Sequence, residues 1–214
     1  MEKMGINNTD KYLKYRPKKF LGQNFLIDEN ISRKIVKSLN ITSDDFIIEI
    51  GPGYGSLTKY IIKEADNYLA VELDKGISEK LSSGLLKNEE GRNHNIISKD
   101  FLKFDFDNEA GLYNPGRKKI KISGNIPYNI TTEVLFRLFE NREKISAAVL
   151  MIQKEVACRL TAKKDTKDYG ILAVMTQLDL VVEFSPTEPF QNQDTEMVPT
   201  PATRNSMTKV GRWR

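Results

Sequence analysis

A doubly wound α/β fold on a mainly parallel sheet is predicted from three observations. Strand-like and helix-like segments alternate regularly over residues 46–184, as parallel strands joined by crossover helices require. The first strand is stopped at once by Gly51-Pro52-Gly53-Tyr54-Gly55, a turn chemistry suited to close backbone approach. The second strand ends in an acid, Glu72, which places a carboxylate beside that turn at the end of the sheet where such folds bind ligands.

Each element has its own signal. Asp28 or Asn30 can cap a helix reaching about residue 39, with Ile31, Ile35, Val36 and Leu39 on one face. Residues 46–50 are a β-branched run that reads as a buried first strand. A helix is expected over 56–63, a second strand over 68–73, a helix to about 87 and a third strand over 94–98, ending near Asp100. After a loop with one helical turn over 105–116, the alternation of residues 119–123 gives a fourth strand. Pro127 turns the chain out of that strand, and Thr131-Thr132-Glu133 can cap a helix to 140. A strand over 147–152, a helix over 153–160, a charged loop, a helix over 169–178 and a strand over 179–184 complete the pattern.

Three domains of composition result: a basic arm over 1–23, a catalytic unit over 24–184 and an atypical tail over 185–214. The tail is polar and proline-containing, and is expected to be poorly ordered. In the arm six basic residues face two acids, with Tyr12, Tyr15 and Phe20 interleaved. Such a segment can neutralise phosphates and stack on bases; a solvated tail has the same composition.

The chain has 214 residues, 39% hydrophobic and 29% charged, with net charge +4. No apolar run approaches a membrane span, and the start lacks the apolar core of a signal peptide. A cytoplasmic protein without membrane contact is expected. One cysteine, Cys158, and one histidine, His94, exclude an internal disulfide framework and a zinc-type ligand cluster. Cys158 is read as helix packing, His94 as a loop or strand-edge residue, and no metal site is expected.

Glu49-x-Gly51-x-Gly53-x-Gly55 with Glu72 suits a nucleotide-like ligand whose ribose hydroxyls the carboxylate accepts. The spacing departs from the dinucleotide pattern G-x-G-x-x-G, which disfavours a nicotinamide-dependent oxidoreductase. The acid ahead of the glycines points away from a pyrophosphate and towards a ligand bearing an amine and a sulfonium. Asp100 is placed to accept from an adenine amino group. Asn125-Ile126-Pro127-Tyr128 would face the acceptor: the Asn125 side-chain oxygen and the Ile126 carbonyl take the two N–H bonds of an exocyclic amine. Tyr128 stacks on its base.

These residues, together with Gly22-Gln23-Asn24-Phe25-Leu26, Glu72-Leu73-Asp74, Gly124-Asn125-Ile126-Pro127-Tyr128-Asn129 and Gln153-Lys154-Glu155-Val156, resemble the ribosomal RNA adenine dimethyltransferase family. That family includes bacterial KsgA and the Erm resistance methylases. The resemblance runs in order over about residues 17–182. It implies a class I, Rossmann-like methyltransferase using S-adenosylmethionine to place two methyls on N6 of rRNA adenosines. It assigns Asn24, Leu26, Gly51, Gly53, Glu72, Asp100 and Asn125 to the cofactor. Asn125, Ile126, Pro127 and Tyr128 are expected in catalysis and Tyr128 and Phe190 in stacking on the target base, while the charge of the arm points Lys14, Arg16, Lys18 and Lys19 to RNA.

The Gly22–Leu26 form and Tyr169-Gly170 are more similar to the KsgA branch, which modifies two adjacent adenosines near the 3′ end of small-subunit rRNA and assists subunit maturation. A monomer acting on the small ribosomal subunit is therefore expected. Family members continue into a hairpin and a small helical domain. Here the likeness stops after Pro186, Pro189 and Phe190, so the helical domain is expected to be truncated or absent, with a truncated or frame-shifted end from about residue 191. The rival readings are a non-catalytic RNA-binding assembly or transcription factor on the same fold, and an Erm-type large-subunit methylase.

Overall fold

The computed structural model describes Leu26 and residues 28–86, 92–114, 116, 118–185 and 205–213, with backbone alone for 178–185 and 205–213. The helices are α1 (Glu29–Leu39), α2 (Thr58–Glu64), α3 (Lys75–Ser83), α4 (Glu109–Tyr113), α5 (Thr131–Glu140), α6 (Lys154–Leu160) and α7 (Ile171–Asp179). The strands are β1 (Asp45–Ile50), β2 (Asn67–Glu72), β3 (Asn93–Ser98), β4 (Lys119–Asn125), β5 (Ile145–Gln153), β6 (Leu180–Ser185) and β7 (Asn205–Trp213).

The seven strands form one sheet in the order β3-β2-β1-β4-β5-β7-β6. The pairings from β3 through β5 are parallel, and β7 runs antiparallel to both β5 and β6. From β1 the chain winds outward to β3 and then returns to lay β4 against the other side of β1. This reversal opens a crevice at the carboxyl ends of β1 and β4.

Burial on both faces explains why β1 is dominated by Phe46, Ile47, Ile48 and Ile50 rather than by an apolar–polar alternation. All six of its residues are buried, as expected of a central parallel strand covered by helices. Phe46, Ile48 and Ile50 pack on one side with Phe101, Phe104 and α5, while Ile47 packs on the other with Ile35, Leu39, Ile61 and Tyr68. Asp28 caps α1 through its Oδ1, which accepts from Asn30 N at 2.7 Å and Ile31 N at 3.2 Å. Asn40 ends that helix in the left-handed region, at φ 48°.

Several expectations are corrected. The second helix begins at Thr58, because residues 53–57 are used in turns. No side chain caps α5; the Thr131 hydroxyl instead donates back to Pro127 O at 2.9 Å. Cys158 is exposed on α6 rather than packed. His94, as expected, lies in edge strand β3; its side chain is buried, with Nε2 2.7 Å from Ala65 O. Within the tail expected to lack regular structure, Asn205–Trp213 is a strand between β5 and β6. Its pairing uses backbone groups, so a polar strand carries little apolar alternation by which to find it. Residues 186–204 lie outside the described residues.

Candidate active site

The loop after β1 turns on glycines at positive φ: Gly51 at 60°, Gly53 at 56° and Gly55 at 82°. L side chains rarely adopt this conformation. Gly51 N donates to Val71 O at 2.9 Å, which ties the loop to β2. A Cβ at Gly51 would meet no atom within 4 Å, so the bend leaves an open cradle on the wall of a cavity.

Glu72 closes the loop from the side. Its Oε2 accepts from Gly53 N at 3.1 Å and its Oε1 from Asp74 N at 2.9 Å. Desolvation by burial raises its pKa above the ordinary value, against the pull of those backbone donors. Each carboxylate oxygen has a second lone pair for a ligand hydroxyl. Asp100 Oδ1 accepts from Leu102 N at 3.0 Å, holding the turn Phe101–Lys103 against the cavity. Leu26 joins this wall, its carbonyl accepting from Ser56 Oγ at 2.6 Å.

Glu49, the acid ahead of the glycines, is buried, at 1% exposed. Its Oε2 accepts from the Tyr68 hydroxyl at 2.6 Å and from Thr58 Oγ1 at 2.9 Å. Burial pushes its carboxyl up to about 7, although both donors favour the charged form. Glu49 nonetheless lines the cavity.

The opposite wall comes from β4. Gly124 pairs with Ile50 of β1, and a Cβ there would lie 2.7 Å from Ile50 O. Only glycine lets the two strands meet this closely, and that contact brings Asn125 beside the glycine loop. Ile126 N donates to Met151 O at 3.0 Å. The Pro127 carbonyl accepts from Ile130 N at 3.2 Å and from the Thr131 hydroxyl at 2.9 Å. Among the described residues no donor reaches the Ile126 carbonyl. Tyr128 is 60% exposed at the mouth of the cavity.

Leu26, Gly51, Gly53, Glu72 and Asp100 thus share one cavity with Asn125, Ile126, Pro127 and Tyr128. Asn24, Phe190, Lys14, Arg16, Lys18 and Lys19 lie outside the described residues. Sequence reasoning missed Phe101, Leu102, Lys99 and Asn129, which also line the cavity. The apolar pair directly after Asp100 was the available signal for the first two.

A family model described as ribosomal RNA adenine dimethylase matches residues 15–196. The chain belongs to this family. It is 44% identical over 164 residues to the ribosomal RNA small subunit methyltransferase A of Francisella tularensis subsp. novicida, covering 77% of this chain and 60% of that relative. The chain therefore spans about 60% of the length of the curated relatives it matches. Among solved structures, a dimethyladenosine transferase from Plasmodium falciparum is similar with TM-score 0.71 and 25% identity, over 89% of this chain and 64% of that one. The 23S rRNA methyltransferase ErmE is similar with TM-score 0.63 and 26% identity, over 88% and 70% respectively. The fold of this dimethylase family member is that of the Rossmann-like methyltransferases.

Proposed function

We propose that the chain transfers methyl groups from S-adenosylmethionine to N6 of adjacent adenosines near the 3′ end of small-subunit rRNA, in the cytoplasm, as part of subunit maturation. The observation that carries this reading is the open Ile126 carbonyl beside Asn125 in a cavity that the exposed Tyr128 also lines. The 44% identity to small-subunit methyltransferase A favours this target over the large-subunit one of ErmE.

The cavity fits the cofactor. The cradle at Gly51 admits a chain against the backbone. Glu72 accepts ribose hydroxyls beside Gly53, and Asp100 Oδ2, without a partner among the described residues, accepts an adenine amine. Leu26 adds apolar surface, and Asn24 is assigned to the same ligand by the family motif. Bound S-adenosylmethionine supplies an electrophilic methyl on a sulfonium whose leaving group is a neutral thioether.

The chain's own residues prepare the acceptor. Asn125 and the Ile126 carbonyl hold the two N–H bonds of the adenine amine, which frees its lone pair from the ring and aims it at the methyl. Pro127, with its carbonyl doubly occupied, fixes the turn that carries the Ile126 carbonyl. Tyr128, and Phe190 as a second wall, stack on a base taken out of its helix. This arrangement contributes proximity and orientation. As the N–C bond forms, the surplus proton on nitrogen leaves through the open mouth, and no buried base is needed.

The RNA backbone has a matching surface. Lys59, Lys99, Lys121 and Lys144 each pair with a carboxylate within 2.7 Å. The exposed Lys154, Arg159, Lys163, Lys164 and Lys167 have no ion-pair partner among the described residues. Arg159 and Lys167 line a second cavity with Tyr169 and with Thr132, the second residue of α5. Together with Lys14, Arg16, Lys18 and Lys19 of the arm, they neutralise phosphates flanking the target.

Methyl transfer from labelled cofactor to unmethylated small subunits tests the reading. Incorporation into adenosine is expected, with loss on Asn125→Ala of at least about tenfold from one mispositioned amine. Equal incorporation by the two proteins would remove Asn125 from the chemistry, and no incorporation by the unaltered chain would sink the activity.

A further inference from the structure

Beneath the cavity lies a buried polar group that the transfer step does not use. Tyr68 is fully enclosed in β2, yet its hydroxyl lies 2.6 Å from Glu49 Oε2. Thr58, equally enclosed in α2, binds the same oxygen at 2.9 Å. The register sets this up: Ile47 pairs with Tyr68 and Glu49 with Ala70, so Tyr68 and Glu49 emerge on one face, two residues apart across the strands. Oε1 of Glu49 has no hydrogen-bond partner among the described residues. The enclosed side-chain atoms without a partner there include the Ser123 hydroxyl and Arg137 Nε. Oε1 is not one of them, and Glu49 lines the cavity. Oε1 is therefore the atom turned to the ligand space.

We propose that Tyr68, with Thr58, is a positioning residue for cofactor capture: it pins Glu49 by Oε2 and presents Oε1 as the acceptor for the cationic part of S-adenosylmethionine. This deepens the proposed function and rests on it. Two donors on one oxygen fix the carboxylate's rotation, and a buried carboxylate with one open oxygen is a directional cation acceptor.

Burial also couples capture to a proton. Without cofactor Glu49 titrates near 7, and a bound cation favours its ionised form. Cofactor binding therefore releases a proton in slightly acid solution. The groups around Glu49 are few: β2 contributes Tyr68 and Glu72, α2 Thr58, and β4 Ser123, its neighbour by register. Of these only Glu72 brings a like charge, and it acts to raise Glu49 further.

The test is calorimetric titration of the full chain with S-adenosylmethionine across neutral pH, for the unaltered protein and Tyr68→Phe. Affinity of the unaltered protein is expected to rise up to tenfold per pH unit until about pH 7 and then level off. In Tyr68→Phe the levelling point moves to higher pH and binding at pH 7 weakens about fivefold, the worth of one net hydrogen bond, recovering in alkali. A loss that is the same at every pH, or no loss, overturns the positioning role. If Tyr68→Phe does not fold, Thr58→Val carries the same expectation. Urea unfolding of the cofactor-free variants against pH gives a second readout, in which the titration near 7 also moves upward. If the unaltered chain binds no S-adenosylmethionine, the proposed function itself fails; if it binds and both profiles coincide, only this inference does.

Discussion

Glu49→Gln should change how stability depends on pH more than it changes stability itself. The carboxyl of Glu49 is raised from 4.5 to about 7 by burial between β1, β2 and α2. Between those values the folded chain keeps a proton that the unfolded chain has lost. Stability from this group is thus complete below 4.5 and is lost as pH rises through about 7. At about 1.4 kcal/mol per pH unit the loss is about 3 kcal/mol. Glu72 is raised as well and adds in the same direction. Glu29, Asp105 and Glu109 have lowered pKa values, so their contribution is lost at more acid pH, below that window. Glutamine keeps an acceptor for Tyr68 and Thr58 without the charge. Urea unfolding of the cofactor-free protein at several pH values should show a decline in the unaltered chain that flattens by about 3 kcal/mol in Glu49→Gln. The variant should also be the more stable protein in mild alkali. Parallel curves would refute the reasoning, since they would mean that Glu49 is solvated in the folded state.

Three other perturbations have definite outcomes. Gly124→Ala sets a methyl 2.7 Å from Ile50 O and should cost about 1–3 kcal/mol in chemical denaturation, because the clash is with backbone that cannot yield. Tyr128→Ala removes a ring that is 60% exposed, so stability should change by less than about 0.5 kcal/mol. Its loss should appear in steady-state kinetics as weakened RNA use, at about 1–3 kcal/mol for the lost stacking. In the double variant Arg159→Ala, Lys167→Ala, the slope of log affinity for a short adenosine-containing RNA against log salt should shrink by about 1.5. An unchanged slope would take the phosphates elsewhere.

Local physics made much of the site legible. A glycine turn after a β-branched run announces itself because few other residues accept positive φ, as Gly51, Gly53 and Gly55 do. Proline after Ile126 shows that the chain leaves the strand there, and Asp28 reads as a cap because its oxygen satisfies helix donors two and three residues on. Thr131 carried the same cap signal but found a competing acceptor, the Pro127 carbonyl, four residues back. A lone cysteine on a helix is usually packed against its neighbours, yet Cys158 sits on the outer face of a seven-residue helix whose buried positions are Ala157 and Leu160.

The chain order of turn, Glu72, Asp100 and Asn125 came from short-range preferences of the backbone, which depend on a residue and its near neighbours. Their convergence did not. It requires β4 to return against β1 with Gly124 at Ile50 O, a contact between segments far apart in sequence. The same is true of β7, whose partners on both sides are backbone groups of distant strands. It is most plain at Glu49, which in sequence is an acid before glycines and in the fold is a buried carboxyl hydrogen-bonded by Tyr68 and Thr58. Dielectric and hydrogen-bond partners set a carboxyl's charge, and both are properties of the packed neighbourhood.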